Sequence, residues 1–375
     1  MGRSFEVAVV GGGMIGAALA YGLARAGLKT VMLDEGDSAF RAARGNFGLI
    51  WVQGKGVDAP AYADWTRASA DLWPEFAAEL EASTAVKLGY ARPGGVELCL
   101  SQAEWDARTS EMARLQAQTD RRFKYEMLDR RALGAYLPEL GAAVLGGSFS
   151  PLDGHVDPLA LLRALHAAFL NHGGEHRPDW RVESIADERP GFTLRSRGEA
   201  LGAERVVLAA GLGNRELAPQ VGLRAPIEPI RGQILVTERL APFLHLPTAL
   251  ARQSLEGTCL LGDSHEEVGF DEGTTPSVMG AIARRAVATF PCLRTTRVVR
   301  AWGALRIMTR DGLPIYDDSE TCPGATLATG HSGVTLAAGH GLRLAQWLAE
   351  GRLPPEMAPF RAARLASRPP EEARV

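Results

Sequence analysis

The sequence predicts an α/β protein: a discontinuous, Rossmann-like dinucleotide-binding domain carrying a β-sheet-rich second domain. Three observations predict it. The apolar run Glu6-Val7-Ala8-Val9-Val10 passes at once into Gly11-Gly12-Gly13-Met14-Ile15-Gly16 and then into a segment with helical spacing. Strand, glycine turn and helix return in the middle and near the end, at 205–211 and 325–350. The stretches between are dominated by strand-like runs. With 375 residues, 46% of them hydrophobic, the chain is long enough to bury a large core.

Residues 6–10 read as a buried parallel strand, and 14–26 as a helix with Ile15, Leu19 and Leu23 on one face and Gly27 to stop it. Thr30-Val31-Met32-Leu33 is the next strand, which completes a βαβ unit. Residues 60–82 read as a helix carrying Trp65, Leu72 and Phe76. The alternation over 86–100, broken by Pro93-Gly94-Gly95, predicts a β-hairpin. Residues 102–119 form an amphipathic helix, and Pro158 opens another that Asp157 caps. Strands follow at 205–211, 233–237 and 258–262, with a helix near 276–290 between strand-like runs, then a strand at 325–330 and a helix over 333–350. On this pattern residues 1–85, 141–225 and 300–360 belong to the dinucleotide domain. Residues 86–140 and 226–299 form the second domain, and 361–375, rich in Arg, Pro and Glu, are a frayed tail.

Charge and cysteine usage narrow the function. A formal net charge of −3 gives no electrostatic case for nucleic acid. Cys99, Cys259, Cys292 and Cys322 stand apart, with no CxxC pair for zinc or an iron–sulfur cluster. Isolated thiols fit a reducing compartment. No apolar run reaches the roughly 20 residues that span a bilayer. A cytoplasmic protein without an integral membrane segment is the expectation, peripheral association being left open. His172 and His176 flank Gly173-Gly174, which breaks any helix that would align them on a metal. No Ser–His–Asp set or carboxylate pair is legible.

The glycine motif carries chemistry. Gly11 permits a tight turn, Gly13 lets backbone N–H groups approach a pyrophosphate, and Gly16 lets the helix pack on the strand, with Met14 and Ile15 in its first turn. Asp34, followed by Glu35, lies 18 residues beyond Gly16 at a strand end. Its carboxylate can take ribose hydroxyls and repels a 2′-phosphate, which disfavours NADP. The motif alone does not separate NAD from FAD.

The segments beyond it resemble the D-amino-acid oxidase/glycine oxidase superfamily. The blocks are Arg44-Gly45-Asn46-Phe47-Gly48, Val206–Gly211, Pro229-Ile230-Arg231-Gly232-Gln233, Arg300–Arg306 with Asp311–Pro314, and Gly330-His331-Ser332-Gly333-Val334-Thr335-Leu336, in the family's order. Asn46–Gly56, Gly257-Thr258 and Gly262–Asp271 are similar to a narrower group: the flavin subunits of opine oxidases, D-hydroxyproline dehydrogenases and hydrogen cyanide synthase. The resemblance implies a glycine-oxidase-like fold and FAD. It adds Arg41, Arg44, Gly45, Asn46, Phe47, Gly48 and Leu49, Val182 at the adenine, Ala210, Gly211 and Leu212, and Gly330 to Thr335 to the cofactor contacts. It further implies an electron-transferring partner subunit and raises an FMN at the interface with it.

Arg306 is the expected catalytic and substrate-binding residue, because a planar guanidinium matches a carboxylate in two hydrogen bonds. His331, Gln53 and Lys55 are the other substrate-binding candidates. The implied reaction takes a hydride from the Cα–N bond of a small amino acid or secondary amine, and the iminium product hydrolyses. D-hydroxyproline or D-proline is the first expectation and an opine the second. A stand-alone glycine or D-amino-acid oxidase, a non-catalytic flavin-binding subunit and an NAD-dependent dehydrogenase are the competing readings.

Overall fold

In the computed structural model, which describes residues 5–36, 42–137, 140–262 and 264–366, the first strand β1 (Phe5–Val10) lies near the middle of an eight-stranded sheet. It pairs in parallel with β2 (Thr30–Leu33) on one side and with Glu199–Leu208 on the other. Glu175–Arg177 and Ala325–Thr329 extend the parallel order outward, and Ile315–Asp318 closes one edge antiparallel. All but one of the residues of β1 are buried and β2 is wholly buried, as expected of strands covered on both faces.

Helix α1 (Met14–Arg25) returns the chain between β1 and β2 and packs against the helix Pro158–Asn171, which Asp157 caps through Leu159 and Ala160 N–H. The long helix α2 (Pro60–Thr84) covers the same layer. Its buried face carries Trp65, Trp73 and Phe76, while Leu72 is only half-buried. A second core, on the opposite face of the sheet, holds Val10, Leu33, Phe192 and Leu208.

Residues 228–308 carry a four-stranded antiparallel sheet, which runs past the expected domain boundary at 299 into the strand Val298–Met308. Its longest pair is β3 (Glu228–Arg239) and the edge strand β4 (Val298–Met308), with Thr258–Leu261 and then Ala251–Gln253 on the far side of β3. The helix Pro276–Thr289 packs on it.

The chain departs from the sequence reading in three places. Residues 86–100 do not form a hairpin: Gly95–Cys99 pairs with Gly146–Ser150, and Ala91 bridges His155 instead. Gly94 and Gly95 are small because the rings of Phe149 and Trp51 lie against them, not because the chain reverses there. The helix expected from 333 starts only at Ala337, after a turn, and passes through a π-helical turn at His340–Leu344. A Cβ at Gly22 would overlap the Gly341 carbonyl, so α1 lies directly on that turn. Finally, residues 361–366 are docked: Ala362 is buried, its N–H donates to Asp317, and Arg364 pairs with Asp311. Among the described residues no helix is long and apolar enough to cross a membrane.

Candidate active site

The glycines after β1 make a tight turn that opens at the start of α1. Gly11 adopts φ +106°, and a Cβ there would stand 2.5 Å from the Ala209 carbonyl oxygen. A Cβ at Gly16 would overlap the Gly11 carbonyl. Gly13 is different, since its nearest neighbour would be the Ala43 side chain at 3.8 Å. That opening lies at the N-terminus of α1, where no side chain caps the first N–H groups. The Asp34 carboxylate accepts Gly12 N–H at 2.7 Å and Gly36 N–H at 3.0 Å, which orients it at the end of β2. Ala210, Gly211 and Leu212 follow the adjacent strand, and a Cβ on Gly211 would meet only Ile307.

Two distant segments close on this turn. Gly45 lies flat against Trp302 and Ala304 of β4, and Trp302 Nε1 donates to its carbonyl at 3.3 Å. Asn46 Oδ1 accepts the Gly48 N–H, Phe47 O accepts Arg252 Nε, and Leu49 O accepts the Thr335 hydroxyl. Thr335 Oγ1 also takes Trp51 N–H. Gly330, at φ +147°, sits against Pro314, while Gly333 faces Met14 and Ile15, leaving 3.3 Å for a Cβ. Ser332 holds φ +66°, a costly conformation for a residue with a side chain, and its hydroxyl bonds Tyr62 and His331. Val334 is buried. The three segments 11–16, 44–49 and 330–335 thus come together, and their glycines and backbone N–H groups are the residues that could hold a flavin dinucleotide. Val182 and Glu35 lie near the Asp34 end, where Trp180 N–H donates to Asp34 O and Arg181 pairs with Glu35. Arg44 is exposed, and Arg41 falls outside the described residues.

Beyond the loop at 330 lies a cavity of about 340 Å³ whose lining includes Lys55, Tyr62, His265, Arg306, Asp311 and His331. The side chain of Arg306 comes from β4, and its Nη1 donates to Ser264 O at 2.7 Å. Asp311 contributes little negative charge to the cavity, because Arg364 grips its carboxylate through Nε and Nη2 at 2.8 and 3.1 Å. Burial, then the charges of Lys55, Arg306 and His265, hold the His331 imidazole well below its usual pKa, so it is neutral. The lining therefore combines the cations Lys55 and Arg306 with His265, a neutral His331 and the Tyr62 phenol.

Gln53 does not line this cavity. It is 1% exposed, and its amide is consumed by Asp153, Gly95 O, Arg108 and Ser148. The Asp153 carboxylate also accepts Val52 and Gln53 N–H, so it anchors the segment that leads to Lys55. Tyr62, His265 and Asp153 were not legible as site residues, since each is a lone side chain without a motif. His155, in a two-residue strand paired with Leu49 just before a capped helix, keeps a buried Nδ1 without a partner among the described residues.

Burial pushes the Asp153 carboxyl up to about 7, against the pull of the Val52 and Gln53 donors. The native state then holds a proton that the unfolded chain has released between about pH 4 and pH 7, so stability falls as pH rises through that window. Asp153→Asn removes this titration. The Tm advantage of the native chain over the variant is expected to shrink by roughly 3–5 °C between about pH 5 and pH 8. A difference that does not vary with pH would show that Asp153 stays ionised.

The chain matches the family described as FAD dependent oxidoreductase over residues 6–347. Its relatives include the opine oxidase B subunits of Agrobacterium tumefaciens (strain Ach5) and Rhizobium meliloti. Identity to the first is 42% over 360 residues, covering 96% of this chain and 97% of that protein. Identity to the second is 41% over the same length, with the same coverage. The fold is similar to the crystal structure of glycine oxidase from Geobacillus kaustophilus, with a TM-score of 0.89 at 25% identity, over 96% of this chain and 98% of that one. A glycine cradle near a cationic cavity is what an enzyme of this kind needs, and the chain belongs to the FAD-dependent oxidoreductase family.

Proposed function

We propose that the chain oxidises the Cα–N bond of an opine-type substrate, a secondary amine flanked by two carboxylated carbons, as the flavin-bearing subunit of a cytoplasmic hetero-oligomer. The observation that carries this reading is that two cationic side chains, Arg306 and Lys55, line one cavity, so that each of two carboxylates can meet one of them. A monocarboxylate such as D-hydroxyproline, the first expectation from sequence, brings a single negative charge to those two cations. An opine brings two, and the likeness to two opine oxidase B subunits points the same way.

Bound FAD supplies a two-electron acceptor. The chain's own part is orientation: Arg306 holds the carboxylate next to the reacting carbon, Lys55 takes the distal one, and neutral His331 adds no third charge. The Cα–H bond breaks with its electron pair while the nitrogen lone pair forms C=N. Water then cleaves the iminium to a 2-oxo acid and an amine. A partner subunit passing the electrons onward is part of the reading, supported by the relatives being named as subunits. An FMN at the junction with that partner is its finer cofactor assignment. Acid extraction of the purified complex should release FAD and FMN together, and FAD alone would overturn that assignment.

The test is anaerobic bleaching of the bound flavin by N-(1-carboxyethyl)arginine, D-hydroxyproline, D-proline and glycine. The opine should bleach it at the lowest concentration; preferential bleaching by a cyclic or primary amine would sink the assignment. Lys55→Ala should raise the half-saturating opine concentration about tenfold, the worth of one partly buried charge-assisted hydrogen bond, and change that for a monocarboxylate less than about twofold. An equal effect on both would remove Lys55 from the distal carboxylate.

A further inference from the structure

Arg306 does not stand upright from its strand. In the register of the sheet it lies opposite Ile230, yet its guanidinium lies across the neighbouring strand at Gly232, where a Cβ would overlap Cζ and both terminal nitrogens. On the far side of β3 its Nη1 reaches Ser264 O at 2.7 Å. The anchor is thus a bar laid over one strand and fastened to a segment on the other side.

That segment is itself fastened from the sheet. Arg231 and Glu266 exchange backbone hydrogen bonds at 2.9 and 3.0 Å, and Arg231 Nη2 donates to Glu266 Oε2 at 2.8 Å. Arg231 is 3% exposed and also holds Asp271 at 2.6 Å and Thr275 at 2.9 Å. Glu266 Oε1 accepts the Ser264 hydroxyl at 2.6 Å and Gln233 Nε2 at 2.9 Å, while Gln233 N–H donates to Ser264 Oγ. Burial alone would raise the Glu266 carboxyl, but hydrogen bonds from Arg231, Ser264 and Gln233 hold it at about 2. His265, between these two clamped residues, is delivered into the cavity wall.

We propose that Glu266, clamped by Arg231, is a positioning residue for substrate carboxylate binding: through Ser264 it fixes the Arg306 guanidinium over Gly232. This rests on Arg306 being the carboxylate anchor. Three consequences separate it from a merely structural role. Glu266→Gln keeps the shape of the side chain and removes its charge. It should raise the half-saturating N-(1-carboxyethyl)arginine concentration about tenfold with the limiting bleaching rate little changed, and lower the Tm because Arg231 stays buried without its carboxylate, so affinities are read on the folded, FAD-loaded protein. Gly232→Ala should displace the guanidinium directly and come close to the affinity loss of Arg306→Ala. In an Arg306→Ala background, Glu266→Gln should have almost no further effect, because its influence passes through the missing side chain.

The measurement is anaerobic titration of the FAD-loaded protein, with its partner where the two purify together, for each single and double variant. Equal affinity losses from Glu266→Gln with and without Arg306 would overturn the proposal while leaving the anchor intact. So would a Gly232→Ala protein that binds the opine normally. If Arg306→Ala itself leaves affinity unchanged, the anchor is wrong and this inference falls with it.

Discussion

Arg306→Ala is expected to weaken binding of a carboxylated substrate by about a hundredfold. Its guanidinium is partly buried, donates to Ser264 O, and lines the cavity, where Asp311 is paired with Arg364. Removing one member of a desolvated charge pair costs about 3 kcal/mol, because the substrate carboxylate must then enter without its partner. The limiting bleaching rate should fall as well, since a substrate held only through Lys55 presents its Cα–H less consistently. The assay is the anaerobic titration of flavin absorbance against opine. A variant retaining native affinity would refute the anchor, and Arg306→Lys should recover only part of the loss because an ammonium cannot match both oxygens in plane.

Gly16→Ala is expected to abolish retention of FAD. A Cβ at this position would overlap the Gly11 carbonyl, and the Ala209 side chain would be 3.2 Å away. The Gly11 carbonyl belongs to the turn that shapes the cradle, so it cannot yield without moving the N–H groups at the start of α1. Overpacking of this kind costs about 1–3 kcal/mol even where neighbours can adjust. Here the displaced atoms are backbone. The purified variant should carry less than about a tenth of the native flavin, read from visible absorbance against protein absorbance, with a Tm no longer raised by added FAD. A yellow variant with native stoichiometry would mean that α1 can slide outward without loss.

The parts of this architecture that were legible in sequence are those encoded by neighbours along the chain. β1, α1 and β2 follow from a buried run, a glycine turn and a helical period within thirty residues. The helices at 60, 102, 158 and 276 follow from spacing and from Pro or a capping residue at their starts. What failed depends on partners far away. The strand Gly95–Cys99 alternates correctly, but its partner lies some fifty residues on, and two glycines that make room for Phe149 and Trp51 imitate a turn. Gln53 is polar and sits next to the cofactor loop, which made it look exposed to substrate. Only the positions of Arg108, Ser148 and Asp153, all far along the sequence, reveal that its amide is already satisfied inside the protein. Tyr62 and His265 reach the cavity singly, with no spacing to mark them.

The meeting of Met14 and Ile15 with Gly333 also sets an order in time. The first turn of α1 is made well before its partner: the surface it shares with 330–335 cannot form until more than three hundred further residues have been made. Over that interval a nascent chain has half a cradle, with the apolar faces of β1 and α1 waiting for late partners. Flavin present before residues 330–335 emerge should matter little, and flavin present once they have emerged should decide how much of the newly made protein survives.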